Sequence, residues 1–442
     1  MELHIGIDDT DSTRGGCTTY IAARLVEKFS KMGIQFVDYP NIIRLNPNIP
    51  YKTRGNAAVA LRLNVMKEDC DLLQEIVLQE IEENSHIEKA GTDPAVVLLR
   101  GKPTGKIKRL SHKALWDVVP ADEALTALRH SDAIAVAYGT RLGLVGALAA
   151  VGQTLDGDHT FELVAYRSKE NLGTPRRVVE NSVKRMDRLT APRTFNNYDF
   201  ENRRMLITPH GPDPVLLGVR GESPKIVLKA FRMLTIREPV ERWVIFRTNH
   251  GTDAHLNGPY LKEQVKPHRP AVLTGIVASK PERIAGGHVF FTLRYKNGAV
   301  RCAAFEPTGE FREAVARLLP GDKVTVLGGV RKPDAHLPVT INLEKMRIHH
   351  LTNELSVENP RCPRCEKHMK SAGKGQGFRC ERCSLRAPNA HKQVVRKPRN
   401  LHTGLYIPDR KAHRHLTKPL PRYGLEKEGW NHKPPLGAWH EP

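Results

Sequence analysis

The stretch "GIDDTDSTRGGCTTYIAARLVEKF" at residues 6–29 decides the N-terminal fold. It begins inside the apolar segment "LHIGI", which predicts a short strand, and its second half places Ile21, Leu25 and Phe29 on one helical face. An acidic loop therefore connects a strand to a helix. Loops at the carboxyl ends of strands are common ligand sites in α/β proteins, so the sequence predicts chemistry in this loop.

Three carboxylates, Asp8, Asp9 and Asp11, lie in the acidic loop, and two interpretations of them are open. Aspartates often cap turns and helix starts, which would make the loop a solvated turn. Mg²⁺ prefers one or two carboxylates together with water and substrate phosphates, which would make the loop a platform for a nucleotide triphosphate. We favour the metal, because a chain of net charge +21 concentrates negative charge here.

Two glycines and two threonines follow the aspartates. Gly15 and Gly16 would let backbone amides approach an anion, and Thr18 or Thr19 could cap a helix whose N-terminus favours phosphate. The helix cap alone would account for the threonines. Together with the carboxylates, however, these residues supply a metal site, a phosphate cradle and a hydroxyl acceptor for phosphoryl transfer.

Two further segments offer phosphate-binding groups. "IPYKTRGN" carries Lys52 and Arg54, which could neutralise phosphate charge, although surface cations are common. "GTRLGLVGALAAVG" carries Gly143 and Gly146, which could form a phosphate loop or let a helix pack closely on a sheet. Both alternatives stay open for each segment.

The segment "RTNHGTDAHL" collects polar side chains directly after a predicted strand. These are Asn249, His250, Asp253 and His255. A turn with a helix cap is the simpler account, and we slightly favour it. The same groups could instead face a substrate at a domain junction.

Four of the seven cysteines form two CxxC pairs, Cys362 with Cys365 and Cys380 with Cys383, separated by 14 residues. Four thiolates at this spacing can surround one tetrahedral Zn²⁺ ion. Because all four ligands would come from the protein, we expect the zinc to be structural. The other three cysteines are isolated, and nothing indicates a disulfide framework.

Composition indicates a modular protein with a polyanionic partner. The chain has 442 residues, enough for two to four domains, and 69 Lys plus Arg against 48 Asp plus Glu. Nucleic acid is favoured over a merely basic protein. We expect a cytoplasmic location, because we see no signal peptide and no apolar run approaching about 18 residues.

The element pattern predicts a multidomain α+β and α/β fold. Residues 271–349 read as three strands, one helix and two strands, the order of an OB-fold β-barrel, with a different small barrel as the alternative. Phe290 and Phe291 alternate on one of these strands, so one could enter the core while the other stacks on a base.

Upstream, strands at "RMLITP", "PVLLGVRG" and "RWVIFRTN" indicate a ferredoxin-like sheet interrupted by a long insertion. The tail from 384 onward, with 12 Lys plus Arg against 4 Asp plus Glu, should be irregular and cling to something else.

Several long motifs occur in one order over nearly the full length. They are "GIDDTDSTRGGCTTY", "RLNPNIPYKTRGN", "GLVGALAAVG", "VRGES", "TNHGTDAHL", "GGHVFF", "CAAFEPT" and the ribbon segments "CPRC" and "SAGKGQGFRC". In these motifs the sequence resembles the archaeal tRNA-isoleucine 2-agmatinylcytidine synthetase family. The resemblance implies a kinase-like catalytic domain, a ferredoxin-like domain, an OB-fold and a C-terminal zinc ribbon. The boundaries we expect are 1–53 plus 90–197 for the catalytic ATP-binding domain, 54–89 plus 198–266 for the ferredoxin-like domain, 267–350 for the OB-fold, 358–387 for the zinc ribbon and 388–442 for a basic tail.

The resemblance also implies a reaction and the residues that perform it. Enzymes of the family use ATP to replace the C2 oxygen of the wobble cytidine of an isoleucine tRNA, anticodon CAU, with agmatine, which changes decoding from AUG to AUA. The oxygen leaves as phosphate, ATP yields AMP and pyrophosphate, and a threonine becomes phosphorylated. Carried over, that threonine is Thr18, and Asp8, Asp9 and Asp11 bind the metal. Gly15, Gly16, Lys52, Arg54 and Gly143 complete the expected nucleotide site, with ATP, Mg²⁺ and Zn²⁺ as cofactors.

Two other functions compete with this one. A non-catalytic binder of single-stranded nucleic acid would use the OB-fold and the zinc ribbon, but an acidic loop would repel its ligand. A kinase acting on a protein or small molecule is disfavoured by the OB-fold and the charge. In the enzyme, the OB-fold, the ribbon and the basic tail would grip the RNA while the anticodon base leaves its stack.

Overall fold

The structure is a computed structural model of the whole chain. It describes residues 1–12, 15–52, 55–85, 87, 91–129, 131–259, 261–335, 337–429, 434–435 and 437–442. Within these residues, no helix combines the length and the apolar composition needed to cross a bilayer.

Strands and helices alternate through the N-terminal part of the chain. The strands are β1 (Glu2–Asp8), β2 (Gln35–Phe36), β3 (Asn41–Arg44), β4 (Ala57–Asn64), β5 (Ala95–Arg100), β6 (Ala133–Ala137), β7 (Thr160–Arg167), β8 (Thr194–Phe195), β9 (Tyr198–Asp199), β10 (Arg204–Met205), β11 (Val215–Gly221) and β12 (Val240–Thr248). The helices are α1 (Thr18–Lys31), α2 (Asp69–Asn84), α3 (Gly105–Ala114), α4 (Ala121–Leu128), α5 (Gly143–Gly152), α6 (Glu180–Thr190) and α7 (Pro224–Arg232).

The C-terminal part is mostly β-structure. It contains β13 (Pro270–Val277), β14 (Glu282–Arg283), β15 (Val289–Tyr295), β16 (Gly298–Ala304), α8 (Glu310–Ala316), β17 (Lys323–Arg331), β18 (Thr340–His350), β19 (Glu354–Glu358), β20 (Lys370–Ser371), β21 (Phe378–Arg379), β22 (Arg386–Ala387), β23 (Gln393–Lys397), β24 (Gly404–Tyr406) and β25 (His440–Glu441). Short 3₁₀ turns lie at Lys169–Asn171, Ala254–Leu256, Glu306–Thr308, Arg410–Ala412 and Leu420–Arg422.

One large sheet joins the two halves of the N-terminal part. Its strand order is β6-β5-β1-β4-β3-β12-β7-β11-β8, with β2 on β4 and β25 on β12. The halves meet where β3 and β12 pair in parallel, with Arg247 opposite Asn41 and Thr248 opposite Ile42. The N-terminal half of β12 pairs antiparallel with β25 instead, with Val244 opposite His440.

The alternation of β1 decides which way the acidic loop faces. Ile5 and Ile7 point into a core that they share with α1. The side of α1 in this core is the apolar face that the sequence pattern predicted. Gly6 and Asp8 point the other way, toward α5, and a Cβ at Gly6 would lie 2.1 Å from the Ala147 carbonyl oxygen. The helix α5 therefore lies directly against β1, on the side where Asp8 emerges.

The ferredoxin-like half is built around β7, β11 and β12, which pair antiparallel; α7 packs on these strands, and α6 packs against α7, β8 and β9. The strands expected at "PVLLGVRG" and "RWVIFRTN" are β11 and β12. The strand expected at "RMLITP" is wrong as a member of this sheet, since only the two residues of β10 are extended and they pair with β9. The exact division of the chain between the first two domains stays a prediction.

The OB-fold prediction is confirmed in its element order. The barrel runs β13-β17-β18-β16-β15-β14 and closes through a β13–β15 pairing, while α8 follows β16. The expectation of a free aromatic ring on β15 is wrong. Phe290 and Phe291 are 4% and 2% exposed, and the Arg301 guanidinium covers the Phe290 ring at 4.4 Å from its centroid.

An antiparallel ribbon of β19 and β23 connects the barrel to a small three-stranded module of β20, β21 and β22. The four paired cysteines lie in this module, where Cys362 and Cys380 are buried.

The tail contains little regular structure, as expected, but it clings to the protein itself. Its strand β24 pairs with β18 of the barrel, and β25 pairs with β12 of the large sheet. Some of its cations form ion pairs along the way, for example Arg399 with Asp322 and Arg414 with Glu344. These two arginines therefore serve contacts within the protein, and a role of the tail in gripping RNA stays a prediction.

Candidate active site

The acidic loop turns back on itself directly after β1. Asp9 has a left-handed φ of 57°, and Ser12 and Gly15 exchange backbone hydrogen bonds of 2.7 and 3.3 Å. Gly16 has a φ of 80°, and a Cβ there would lie 2.5 Å from the Thr10 carbonyl oxygen. The two glycines thus shape this turn, and their role in binding a nucleotide stays a prediction.

Asp11 caps α1 from outside the helix. Its Oδ1 accepts hydrogen bonds from the Thr18 backbone N–H at 2.8 Å and from the Thr18 hydroxyl at 3.3 Å. Cys17 occupies the N-cap position without a capping side-chain bond, so the expectation that Thr18 or Thr19 caps the helix is wrong. The Asp11 carboxylate caps the helix instead, and it lies beside the Thr18 hydroxyl as a proton acceptor.

The glycines of α5 let this helix approach the aspartates. A Cβ at Gly146 would lie 1.7 Å from Asp8 Oδ2, and one at Gly143 would lie 3.1 Å from the Cβ of Asp9. Close packing, one of the two alternatives for this segment, is therefore confirmed. It also brings the N-terminus of α5, the positive end of its dipole, next to the acidic loop.

The carboxylates repel one another in a partly buried position. Burial raises the pKa of Asp8 well above its ordinary value, and the charges of Asp9 and Asp11 raise it further. Burial, together with the charges of Asp93 and Asp11, raises the pKa of Asp9 to about 7. Such a set of hard oxygen donors suits a divalent cation, which would relieve the repulsion.

These groups open onto a cleft of about 510 Å³. Of the residues predicted from the sequence, its wall includes Asp8, Asp9, Asp11, Thr18, Lys52 and Gly143. Lys52 is exposed and donates to the Pro47 carbonyl oxygen. Arg54 lies outside the described residues.

Another part of the wall carries a charged cluster, of whose members the sequence had indicated only His250. Glu162 accepts a 2.8 Å hydrogen bond from Arg220 Nε, and its second oxygen lies 4.0 Å from Arg44 and 3.4 Å from His250. The neutral His415 ring of the tail packs on His250 with centroids 5.0 Å apart. Charged residues inside apolar strands, as in "TFELVAYR" and "VLLGVRG", were the available signal.

The pKa shifts of this cluster follow from burial and from the arginines. Burial and the Arg220 charge lower the pKa of His250 to about 4, so the ring is neutral at pH 7. Burial also holds the pKa of His415 well below its ordinary value. Glu162 is ionised, because the neighbouring cations outweigh its burial and keep its pKa well below the usual range.

The segment "TNHGTDAHL" forms a turn at a junction of domains. Asn249 bonds both to the Arg44 N–H at 2.8 Å and to its carbonyl oxygen at 2.9 Å. His255 lies 2.9 Å from Glu344 of the barrel, and Asp253 begins the 3₁₀ turn without a capping bond. The turn is confirmed, the side-chain cap is wrong, and these groups bind neighbouring domains.

The four paired cysteines form a metal site by their own geometry. Their sulfur atoms lie within 4.8 Å of one another, with Cys362 and Cys383 at 3.3 Å and Cys365 and Cys380 at 3.5 Å. Tetrahedral zinc with Zn–S bonds of about 2.3 Å needs sulfurs just under about 4 Å apart. The donor set therefore fits a structural four-thiolate zinc ion.

Known families match this chain segment by segment. The matching models are the TiaS TCKD domain at residues 4–69, the TiaS FLD domain at 142–255, an OB-fold nucleic acid binding domain at 271–348 and the TiaS C-terminal zinc ribbon domain at 359–401. The tRNA 2-agmatinylcytidine synthetase TiaS of Staphylothermus marinus, which is named for an isoleucine tRNA, is 42% identical over 441 residues. That alignment spans 98% of this chain and 95% of the relative.

Two solved structures extend the similarity to bound ligands. The complex of TiaS with its isoleucine tRNA and ATP aligns with a TM-score of 0.85 and 41% identity, covering 96% of this chain and 97% of that one. The complex of TiaS with the same tRNA, AMPCPP and agmatine aligns with a TM-score of 0.83 and 39% identity over the same shares. The resemblance first seen in the motifs is confirmed, and the chain belongs to the TiaS family of isoleucine-tRNA 2-agmatinylcytidine synthetases.

Proposed function

We propose that the cleft beside the acidic loop is where this chain performs the reaction of its family, in the cytoplasm and with Mg²⁺. The chain is an ATP-dependent tRNA 2-agmatinylcytidine synthetase. It replaces the C2 oxygen of the wobble cytidine of an isoleucine tRNA with agmatine, through phosphorylation of that oxygen. The roles of individual residues below are our assignments.

Asp8, Asp9 and Asp11 hold the divalent ion. Their oxygens are the donor type that Mg²⁺ prefers, and neither Asp8 nor Asp9 forms an ion pair with a described residue. When bound, the ion offsets negative charge on the triphosphate and on the phosphoryl group in transfer. The N-termini of α1 and α5 add partial positive charge on the protein side.

Thr18 is the phosphoryl acceptor within the protein. Its side chain lines the cleft at the start of α1, and its hydroxyl donates to Asp11 at 3.3 Å. Asp11 can take the hydroxyl proton as the oxygen forms its bond to a phosphorus of ATP, while the P–O bond to the departing nucleotide phosphate breaks. The side chain also lies 2.9 Å from the Thr10 hydroxyl, so two partners orient it.

Cations on the remaining wall balance the charge of the substrates. Lys52 lies on the exposed loop after β3, where it can meet a phosphate entering the cleft. Arg44 and Arg220 lie deeper, beside Glu162. A site that receives ATP and an RNA phosphate needs such cations to offset its own carboxylates.

One observation carries this proposal: three carboxylates, a threonine hydroxyl and a glycine-faced helix N-terminus meet at one cleft. A simple binder of single-stranded nucleic acid gains nothing from carboxylates that repel its ligand. An enzyme that positions a metal-bound nucleotide gains from these carboxylates, because the metal reverses the local charge.

The test uses the full chain with ATP, Mg²⁺, agmatine and an isoleucine tRNA transcript with a CAU anticodon. Mass analysis of the nucleosides should show agmatine replacing the cytidine oxygen. ATP labelled in its phosphates should transfer the label to Thr18. Thr18→Ser keeps the hydroxyl and should keep the protein label, whereas the isosteric Thr18→Val should lose it. Agmatidine formation at the native rate by Asp8→Asn would overturn the metal assignment.

A further inference from the structure

We propose that one exposed face of α6, with the adjoining hairpin of β9 and β10, is a docking surface for the phosphate backbone of the tRNA. The surface, which we call the α6 patch, consists of Asn181, Lys184, Arg185, Arg188, Leu189, Tyr198 and Phe200. The proposal rests on the proposed function only in taking the partner to be the tRNA whose wobble base enters the cleft.

The helix presents its cations on a single stripe. Residues 181, 184, 185 and 188 recur at intervals of three and four, so they share one face of α6, and together with Leu189 they line a shallow groove. The opposite face, with Val183 and Met186, is buried in the ferredoxin-like core. The stripe is therefore solvent-facing and continuous along about two helical turns.

Aromatic rings of the hairpin support two of these cations. Lys184 Nζ lies 4.9 Å from the Tyr198 ring centroid, and the Arg188 guanidinium lies 5.2 Å from the Phe200 centroid. The two rings contact each other with centroids 4.9 Å apart. Phe200 is 39% exposed, so the patch offers apolar ring surface next to positive charge. That combination is typical of surfaces that hold an RNA strand.

Charge compensation distinguishes the patch from an ordinary solvated helix face. Arg185 and Arg188 form no ion pair with any carboxylate among the residues described, although Lys184 pairs with Glu180 at 2.7 Å. The other carboxylate of α6, Asp187, points inward and accepts from Asn197 at 3.0 Å. The patch therefore keeps net positive charge, which suits a polyanion.

The hairpin of the patch connects along the chain to the active-site cleft. Tyr198 pairs with Met205 across the hairpin, and the chain then runs directly into residues 206–208, which line the cleft. About four residues of extended chain span at most about 14 Å. An RNA strand with one base in the cleft can thus reach the patch with phosphates only a few nucleotides away.

The test measures binding of the CAU isoleucine tRNA transcript to the full chain between about 50 and 300 mM salt. Arg185→Ala/Arg188→Ala should weaken binding by about 10-fold and lower the slope of log affinity against log salt by up to about 2. Arg185→Lys/Arg188→Lys keeps the charge and should retain the slope. Lys31→Ala is the matched control, since Lys31 is 71% exposed but already paired with Glu27, and it should change neither quantity.

The outcomes separate this proposal from the proposed function. An unchanged affinity and slope in the double alanine variant would overturn the patch as a tRNA-binding surface. An equal loss in the lysine variant would also overturn it, because that would indicate packing rather than charge. If the native chain binds tRNA through the patch but makes no agmatidine, the proposed function fails while the patch stands.

Discussion

The acidic loop and the C-terminal tail treat charge in opposite ways. In the loop, Asp8 and Asp9 lie side by side, and burial and the charges of neighbouring carboxylates raise the pKa of both. In the tail, Arg422 is fully buried, yet it bonds to Glu222 at 2.6 Å, to Asp158 at 2.8 Å and to the Gly251 carbonyl oxygen. The loop leaves its negative charge uncompensated, whereas the positive charge of Arg422 is fully compensated.

The contrast separates ligand-binding charge from structural charge. Like charges held together cost stability, so they persist where a ligand supplies the missing countercharge. Buried opposite charges with full hydrogen bonding hold elements together and offer little to a ligand. Lys418 and Lys427 follow the rule of Arg422, since they pair with Glu426 and Glu222. Arg185 and Arg188 resemble the acidic loop, because no described carboxylate compensates their charge.

The largest expected effect comes from breaking the compensation in the tail. Arg422→Ala leaves Asp158 and Glu222 facing each other without their shared cation, which should lower the free energy of unfolding by roughly 3–5 kcal/mol. Urea denaturation at pH 7 measures it. Lys31→Ala, which removes an exposed pair, should cost only about 0–1 kcal/mol. Equal losses in the two variants would remove the structural half of the contrast.

Replacing a carboxylate of the acidic loop should reduce activity and leave stability intact. Asp8→Asn should reduce agmatidine formation by about 10²–10³-fold, because the metal loses a charged ligand. The free energy of unfolding at pH 7 should not fall, because burial and repulsion already disfavour the ionised carboxylate. The rate is measured by nucleoside mass analysis and the stability by urea denaturation. A destabilised but fully active variant would contradict the assignment.

Local patterns were sufficient for the elements that depend on neighbouring residues. The strand, loop and helix of residues 2–31 follow from period 2 and period 3.6 patterns, and the element order of the barrel follows in the same way. The zinc site follows from ligand spacing, because both CxxC pairs are local. The aspartates and Thr18 were placed together correctly because they are close neighbours along the chain.

Long-range pairing explains what the sequence could not reveal. Glu162, Arg44 and Arg220 meet because β7 lies between β11 and β12 in the sheet and β3 pairs with β12, and no local pattern encodes that order. The partners of Arg422 are 264 and 200 residues away, so composition alone could not show what the tail binds. Even the cap of α1 was missed, since Asp11 reaches it across the turn in preference to a threonine.

The smallest effect tests compensation where the tail meets the barrel. Glu344 lies 3.0 Å from Arg414 and 2.9 Å from His255. Burial opposes its ionisation, but the charge of Arg414 and the contact with His255 outweigh burial and lower its pKa from 4.5 to about 2. Since the folded pKa lies below the unfolded value, the carboxylate contributes stability above about pH 4.5 and loses it as the pH falls toward 2. The contribution is roughly 3 kcal/mol at most. Urea midpoints of the native chain and of Glu344→Gln should therefore differ at pH 7 and converge as the pH falls from about 4.5 toward 2, whereas parallel pH profiles would show that this contact is not held by charge.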